Sequence, residues 1–511
     1  MTLSYSRRRF IQTAAAGSAV LGLGDLAFLN SLRPVSAADA KLDPNVVKLD
    51  PGIEPLVRLI ETTPRDRLLE EVGTRVRTGL SYRDLLAALL LAGVRNVEPR
   101  PSVGFKFHSV LVVNSAHLAS LSSPDSDRWL PIFWALDYFK SAQAQDERER
   151  NWTMAPVDES KLPAARGAKG MFTEAMDNWD VAASDVAIAQ LARSSGANEV
   201  FELFFRLGAR DFRSIGHKAI YVANSCRTLQ CIGWHHAEPV LRSLAYALLM
   251  HEGDNPAKRD DAADRPWRRN VQLAQKINDD WRGGKLSSDA SRDLLVILRE
   301  GSADAACDKV VELLNKGTSP QSIWDALFDA SGELLLRQAG IVSLHAVTTT
   351  NALHYAFAAS GDDMTRRLMM LQNAAFVTLF RDSLARRGTV AEARVDALEP
   401  AKFAAKGEAA LEEIFAEVGR DAGKRRAAVG KMLAYLKAGG DAKAAIDTAR
   451  RFVFLKGNDA HDYKFSSAVL EDYQHISPAW RDAYLSSSLM LLNGAGEADN
   501  GLIKRTRAAL G

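Results

Sequence analysis

Three cysteines in 511 residues leave little for a disulfide framework. Cys226, Cys231 and Cys307 are odd in number and cannot all pair, and the first two, five apart in a helical stretch, point to different faces. They read as small buried apolar side chains. Basic blocks are missing too: 25% of residues are charged, with a formal net charge of +2. That balance argues against nucleic acid as a partner. Alternating strand-like runs are scarce. HExxH, CxxC, GxSxG and the phosphate-cradling P-loop are all absent, which removes the usual signatures of zinc proteases, dithiol enzymes, α/β-hydrolases and NTPases.

What is present begins with the N-terminal segment. Ser6-Arg7-Arg8-Arg9-Phe10-Ile11 resembles the twin-arginine export signal. A short run rich in Gly and Ala follows, then Val35-Ser36-Ala37, a small-x-small cleavage site. The expectation is a signal peptide at 1–37, read by the Tat export machinery, and a mature protein in the periplasm or cell envelope. Its removal takes away four arginines and one aspartate, so the net charge falls from +2 to −1. No other run is long enough to span a bilayer, so no stable membrane span is expected. The resemblance to this signal implies a passenger exported folded, often with a cofactor inserted.

The remainder predicts an all-α protein, with apolar residues recurring at i, i+3, i+4 and i+7. Four stretches, at 67–93, 185–209, 308–330 and 427–451, share a helix, a glycine stop and a second helix. Gly79, Gly196, Gly317 and Gly440 sit where a left-handed C-cap is needed. Ser81, Asn198, Ser319 and Asp441 can cap the following helices, and Pro320 suits a first turn. A histidine follows each second helix: His108, His217, His345 and His461. The intervals from glycine to histidine are 29, 21, 28 and 21 residues. Odd units match odd and even match even. This pattern predicts four repeated units of about four helices arranged as a duplicated pair, a toroid-like bundle, with halves at 38–300 and 301–511. Polar inserts at 142–180, 252–292 and 382–424 separate the units.

The histidines sharpen the duplication. "HSVLVVNSAH" (108–117) and "HAVTTTNALH" (345–354) share His-x5-Asn-x2-His at an offset of 237, while His236–Pro239 and His475–Pro478 share His-x2-Pro. Eight of ten histidines therefore pair across the halves: His108 with His345, His117 with His354, His217 with His461, His236 with His475. Neutral imidazole is the commonest metal ligand in proteins, and histidines from different helices can converge inside a bundle. The expectation is a transition metal held by these histidines, with a haem or an organic substrate flanked by them as the alternative. Positions i and i+9 differ by about half a turn on a straight helix. Hence either His345 enters from the loop before its helix, or His345 and His354 serve different surfaces; the first is expected, with His108 and His345 both entering from a loop. Asn351 and His354, three apart, share a face.

Asn114, Asn224, Asn351 and Arg227 are further candidate binding residues. Arg227 stands after Asn224 as His117 stands after Asn114, and a solvated helix position is its simpler reading. Glu238, Asp462, Glu471 and Asp472 could orient neighbouring histidines or cap helices. Trp129, Trp134 and Tyr138 have core spacing.

At "LHAVT" (344–348), with histidines opening helices in a repeated all-helical chain, the sequence resembles the questin oxidase-like family. That family is associated with Baeyer–Villiger-type oxidative ring opening of aromatic polyketides. The resemblance implies an oxidoreductase acting on a small molecule. A non-catalytic helical-repeat binding protein and a histidine-based hydrolase are the competing expectations.

Overall fold

The computed structural model describes residues 43–419 and 421–511. The twin-arginine pattern and the cleavage site lie outside the described residues. Within them the protein is all-helical, with 22 α-helices and several short 3-10 turns. Among these residues, one isolated parallel bridge, Lys285 to Thr318, is the only extended pairing. None of the described helices is long and apolar enough to cross a membrane.

Local chemistry accounts for many helix ends. The Ser81 side chain accepts from the Asp84 amide, Ser319 from Gln321 and Asp441 from Lys443. Gly79 and Gly317 adopt the left-handed conformation expected of them. Two details differ from the sequence reading. Gly439 rather than Gly440 carries the positive φ, and Gly196 is an N-cap in extended conformation, which displaces Asn198 from that role. The polar inserts hold helices of their own, at Ala165–Asp177, Arg265–Ala274 and Gly407–Glu417.

Four helices form the centre: α1 (His108–Leu121), α2 (His217–Ile232), α3 (Ile341–Ala359) and α4 (Ala460–Asp472). Each packs on its neighbours in a closed ring, α1 on α2, α2 on α3, α3 on α4, and α4 on α1. All four are buried along most of their length, which explains why α1 and α3 carry apolar residues all round instead of on one stripe. Other helices cover them: Leu130–Glu149 lies on α1, Ala197–Ala209 on α2, Pro320–Arg337 and Asp363–Leu384 on α3. Helix Arg265–Ala274 reaches past residue 300 to pack on Asp363–Leu384, so the two halves interlock. The last helix, Leu502–Leu510, packs on Arg65–Arg77, where Arg505 forks onto Glu70 at 2.7 Å. The last described helix therefore packs against the second one.

The central four run parallel. His108 meets His217 at one end, Asn114 of α1 meets Asn224 of α2 two turns further along, and Arg227 of α2 meets Asn351 of α3 beyond that. All four N-terminal ends accordingly converge at one point.

Candidate metal centre

At that point lie His108, His217, His345 and His461, one from each unit of the sequence. One nitrogen of each ring lies within 4.8 Å of the same atom in the other three. His217 Nε2 is 2.9 Å from His108 Nε2 and 2.9 Å from His345 Nε2. The rings close a cycle in which His461 faces His108 and His345, with centroids 4.5 and 5.3 Å away. His108, His217 and His345 are buried, and the His461 side chain keeps 23% exposure, leaving the cluster one edge near solvent.

The opposite ring nitrogens explain the orientation. His108 Nδ1 lies 2.9 Å from the Phe105 carbonyl, His217 Nδ1 2.6 Å from that of Ser214, and His345 Nδ1 2.6 Å from that of Ile341. His461 Nδ1 is 2.6 Å from the Asp459 carboxylate. A carbonyl or carboxylate oxygen only accepts, so each Nδ1 carries the hydrogen and donates. In the neutral rings every Nε2 is then a bare lone pair turned inward. Two such lone pairs 2.9 Å apart repel; a cation between them removes the repulsion. The outward oxygen partners are the outer shell that metal-bound histidines ordinarily have.

The local backbone is shaped for this. Phe105 and Ser214, each three residues before its histidine, hold left-handed conformations with φ 49° and 56°. Such residues cost on the order of 1–3 kcal/mol each and cluster at functional sites. Gly104 also lies against the rings: a Cβ there would stand 3.1 Å from His217 Cε1 and 3.5 Å from His108 Cε1.

Burial, first, and then the nearby Lys464 charge push His108 and His217 well below the ordinary histidine value; the same two causes act on His345. The three rings are therefore neutral and able to ligate at neutral pH. Asp459 is held below the usual carboxylate range by its bond to His461.

The other expected residues lie elsewhere. His117 pairs with the Tyr82 hydroxyl at 2.9 Å. His236 sits beside His235, its centroid 3.9 Å away, in the wall of a surface cleft. His354 and His475 face each other at 4.7 Å, with His354 edge-on to Trp324, and burial pulls His354 down to about 3. The structure thus brings together the first histidine of each unit and leaves the second four outside. His345 lies in the second turn of α3 and not in a preceding loop, so the half-turn rule sends His345 and His354 to different surfaces. Asn351 and His354 both look toward the 471–475 segment, as their spacing requires.

Asn114 donates to Asn224, and Asn224 donates to the Leu111 carbonyl. Asn351 donates to Glu471 at 2.9 Å and to Asp472 at 2.7 Å. Arg227 is no solvated residue: it pairs with Glu471 at 2.8 Å and lies over the Tyr355 ring. These four residues tie the central helices together below the tetrad. Glu238 pairs with Arg193 rather than with His236, and Asp462 accepts from the amides of Asn458 and Asp459 as a helix cap.

Two participants escaped the sequence reading. Asp459 precedes the helix as its N-cap and reaches both the His461 backbone and ring. Lys464, one turn after His461 on the same face, places its Nζ 3.4 Å from His217 Nε2. The i+3 spacing was the available signal for Lys464.

Against protein-family models, curated proteins and solved structures alike, the chain has no match.

Proposed function

We propose that the four histidines hold a single transition-metal ion and that this centre oxidises or reduces a small molecule. The observation that carries the reading is the donor geometry: four imidazoles with Nδ1 tied outward to oxygen, each offering one ring nitrogen within 4.8 Å of the others. Ligand nitrogens about 2.0–2.1 Å from a shared ion stand roughly 2.9 Å apart at a square corner and about 3.4 Å apart in a tetrahedron. The two 2.9 Å separations at His217 support the square arrangement. Square nitrogen sets suit Cu(II) or Ni(II), whereas Mg and Ca take oxygen ligands. A haem brings four nitrogens of its own and cannot take four imidazoles on one iron, so the bare ion is the better fit. Oxidative chemistry also agrees with the resemblance carried by "LHAVT", and residues 6–11 and 35–37 support export to the cell envelope.

Elemental analysis of protein purified without chelator tests the reading. About one equivalent of a transition metal per chain is expected, lost in His217→Ala and His345→Ala. Wild-type protein that stays metal-free after incubation with Cu(II), Ni(II), Zn(II) and Fe(II) would sink it.

A further inference from the structure

Among the described residues three lysines are buried: Lys106, Lys218 and Lys464. Lys106 meets Asp146 at 2.7 Å and Glu149 at 2.8 Å, and Lys218 meets Asp211 at 2.8 Å and the Met250 carbonyl at 3.0 Å. Lys464 has no carboxylate within bonding distance among the described residues. Among the described residues its one hydrogen-bond partner is the Nε2 of His217, 3.4 Å away. Asp459 lies close enough to act on it electrostatically, but that carboxylate is engaged by the ring and backbone of His461.

A metal ion on the tetrad takes the lone pair of His217 Nε2. Lys464 then loses its single acceptor while still carrying N–H groups in a site where it is only 2% exposed. An amine donates N–H in either protonation state, so this holds for the charged and the neutral side chain alike. One further buried hydroxyl, Thr349 Oγ1, lies beside the Gly216 that precedes His217 and has no partner. An unmet buried donor costs about 1–3 kcal/mol, so the site is short of an acceptor. The converging ends of the four parallel helices add positive potential, which favours negative charge at the same point.

We propose that the metal centre binds a small anion as an additional ligand, hydrogen-bonded by Lys464 from the bundle interior. This rests on the metal reading above and deepens it. The class is anions of one to three heavy atoms that bind a metal through a terminal oxygen or nitrogen, such as hydroxide, peroxide, superoxide or azide. Lys464 is in this account the residue that positions and stabilises the anion, and its removal leaves the four metal ligands in place.

The test uses the full chain loaded with Cu(II). Copper content is measured first; azide is then titrated and followed by its charge-transfer absorption on copper. Saturable azide binding is expected in the wild type. Lys464→Met should weaken it at least tenfold with copper content unchanged, and Lys464→Arg, which keeps N–H donors, should recover part of it. Copper bound without azide binding, or Lys464→Met binding azide as tightly as wild type, overturns the inference and leaves the metal reading standing. Copper that does not bind overturns both. Should Lys464→Met fail to fold, Lys464→Gln replaces it under the same criteria.

Discussion

The Nε2 atoms of His108 and His217 lie 2.9 Å apart although both rings donate from Nδ1 to backbone carbonyls, those of Phe105 and Ser214. Neither ring in its neutral form can donate to the other, so the contact gains stability only with a cation between them. Added metal should therefore stabilise the fold. Ligand at about 100 times its Kd contributes roughly 2.7 kcal/mol. A rise of a few degrees in Tm is expected for wild type and none for His217→Ala, measured by calorimetry with and without metal.

Gly104 is held against the tetrad by space rather than by backbone conformation. A Cβ there would press on the rings of His217 and His108, whereas one at Gly167 would meet nothing within 4 Å. Overpacking of this kind costs about 1–3 kcal/mol. Gly104→Ala is expected to weaken metal binding about tenfold in a competition titration, with Gly167→Ala unchanged.

Asp472 is buried and is pushed up to about 8 by that burial, against the opposing bonds from Asn351 and Tyr484. A carboxyl whose folded pKa exceeds its unfolded value, about 3.9, favours the folded state below the unfolded pKa. That advantage is lost as pH rises toward 8. Asp472→Asn removes the titration, so its Tm relative to wild type should climb between pH 4 and pH 8, by an amount equivalent to at least about 1 kcal/mol. A constant difference across that range would contradict the assignment.

Arg227 and Glu471 join α2 to α4 through an ion pair at 2.8 Å whose side chains are 12% and 28% exposed. Asn351 of α3 binds both. A pair this enclosed should couple. Arg227→Met and Glu471→Gln are each expected to cost about 1–3 kcal/mol, with a coupling energy near 1 kcal/mol in a double-mutant cycle read by urea unfolding.

Much of this was legible because histidine is uncommon and the chain repeats its spacing. The all-helical class followed from periodicity, and the four tetrad residues stand among the eight that pair across the halves. Choosing four of the eight needed depth along each helix, which spacing alone does not supply. His345 lies a turn inside α3, a helix start that Gly340 and Ser343 set and no histidine pattern reveals. The partner of Arg227 is 244 residues away in Glu471, so the sequence neighbourhood of Arg227 reads as solvated. Lys464 looks like any surface lysine until the ring of helices closes over it. Gly196 differs from Gly79 because Ser195 ends its helix in extended conformation, so no left-handed residue is needed there.

X-ray absorption at the K-edge of the bound metal tests the central claim most directly, because it counts ligands. The account predicts one ion per chain with four imidazole nitrogens at about 2.0 Å, distinguished by the outer-ring scattering of imidazole, and a loss of that signal in His217→Ala. A spectrum dominated by oxygen or sulfur ligands, or one unchanged in His217→Ala, would contradict it.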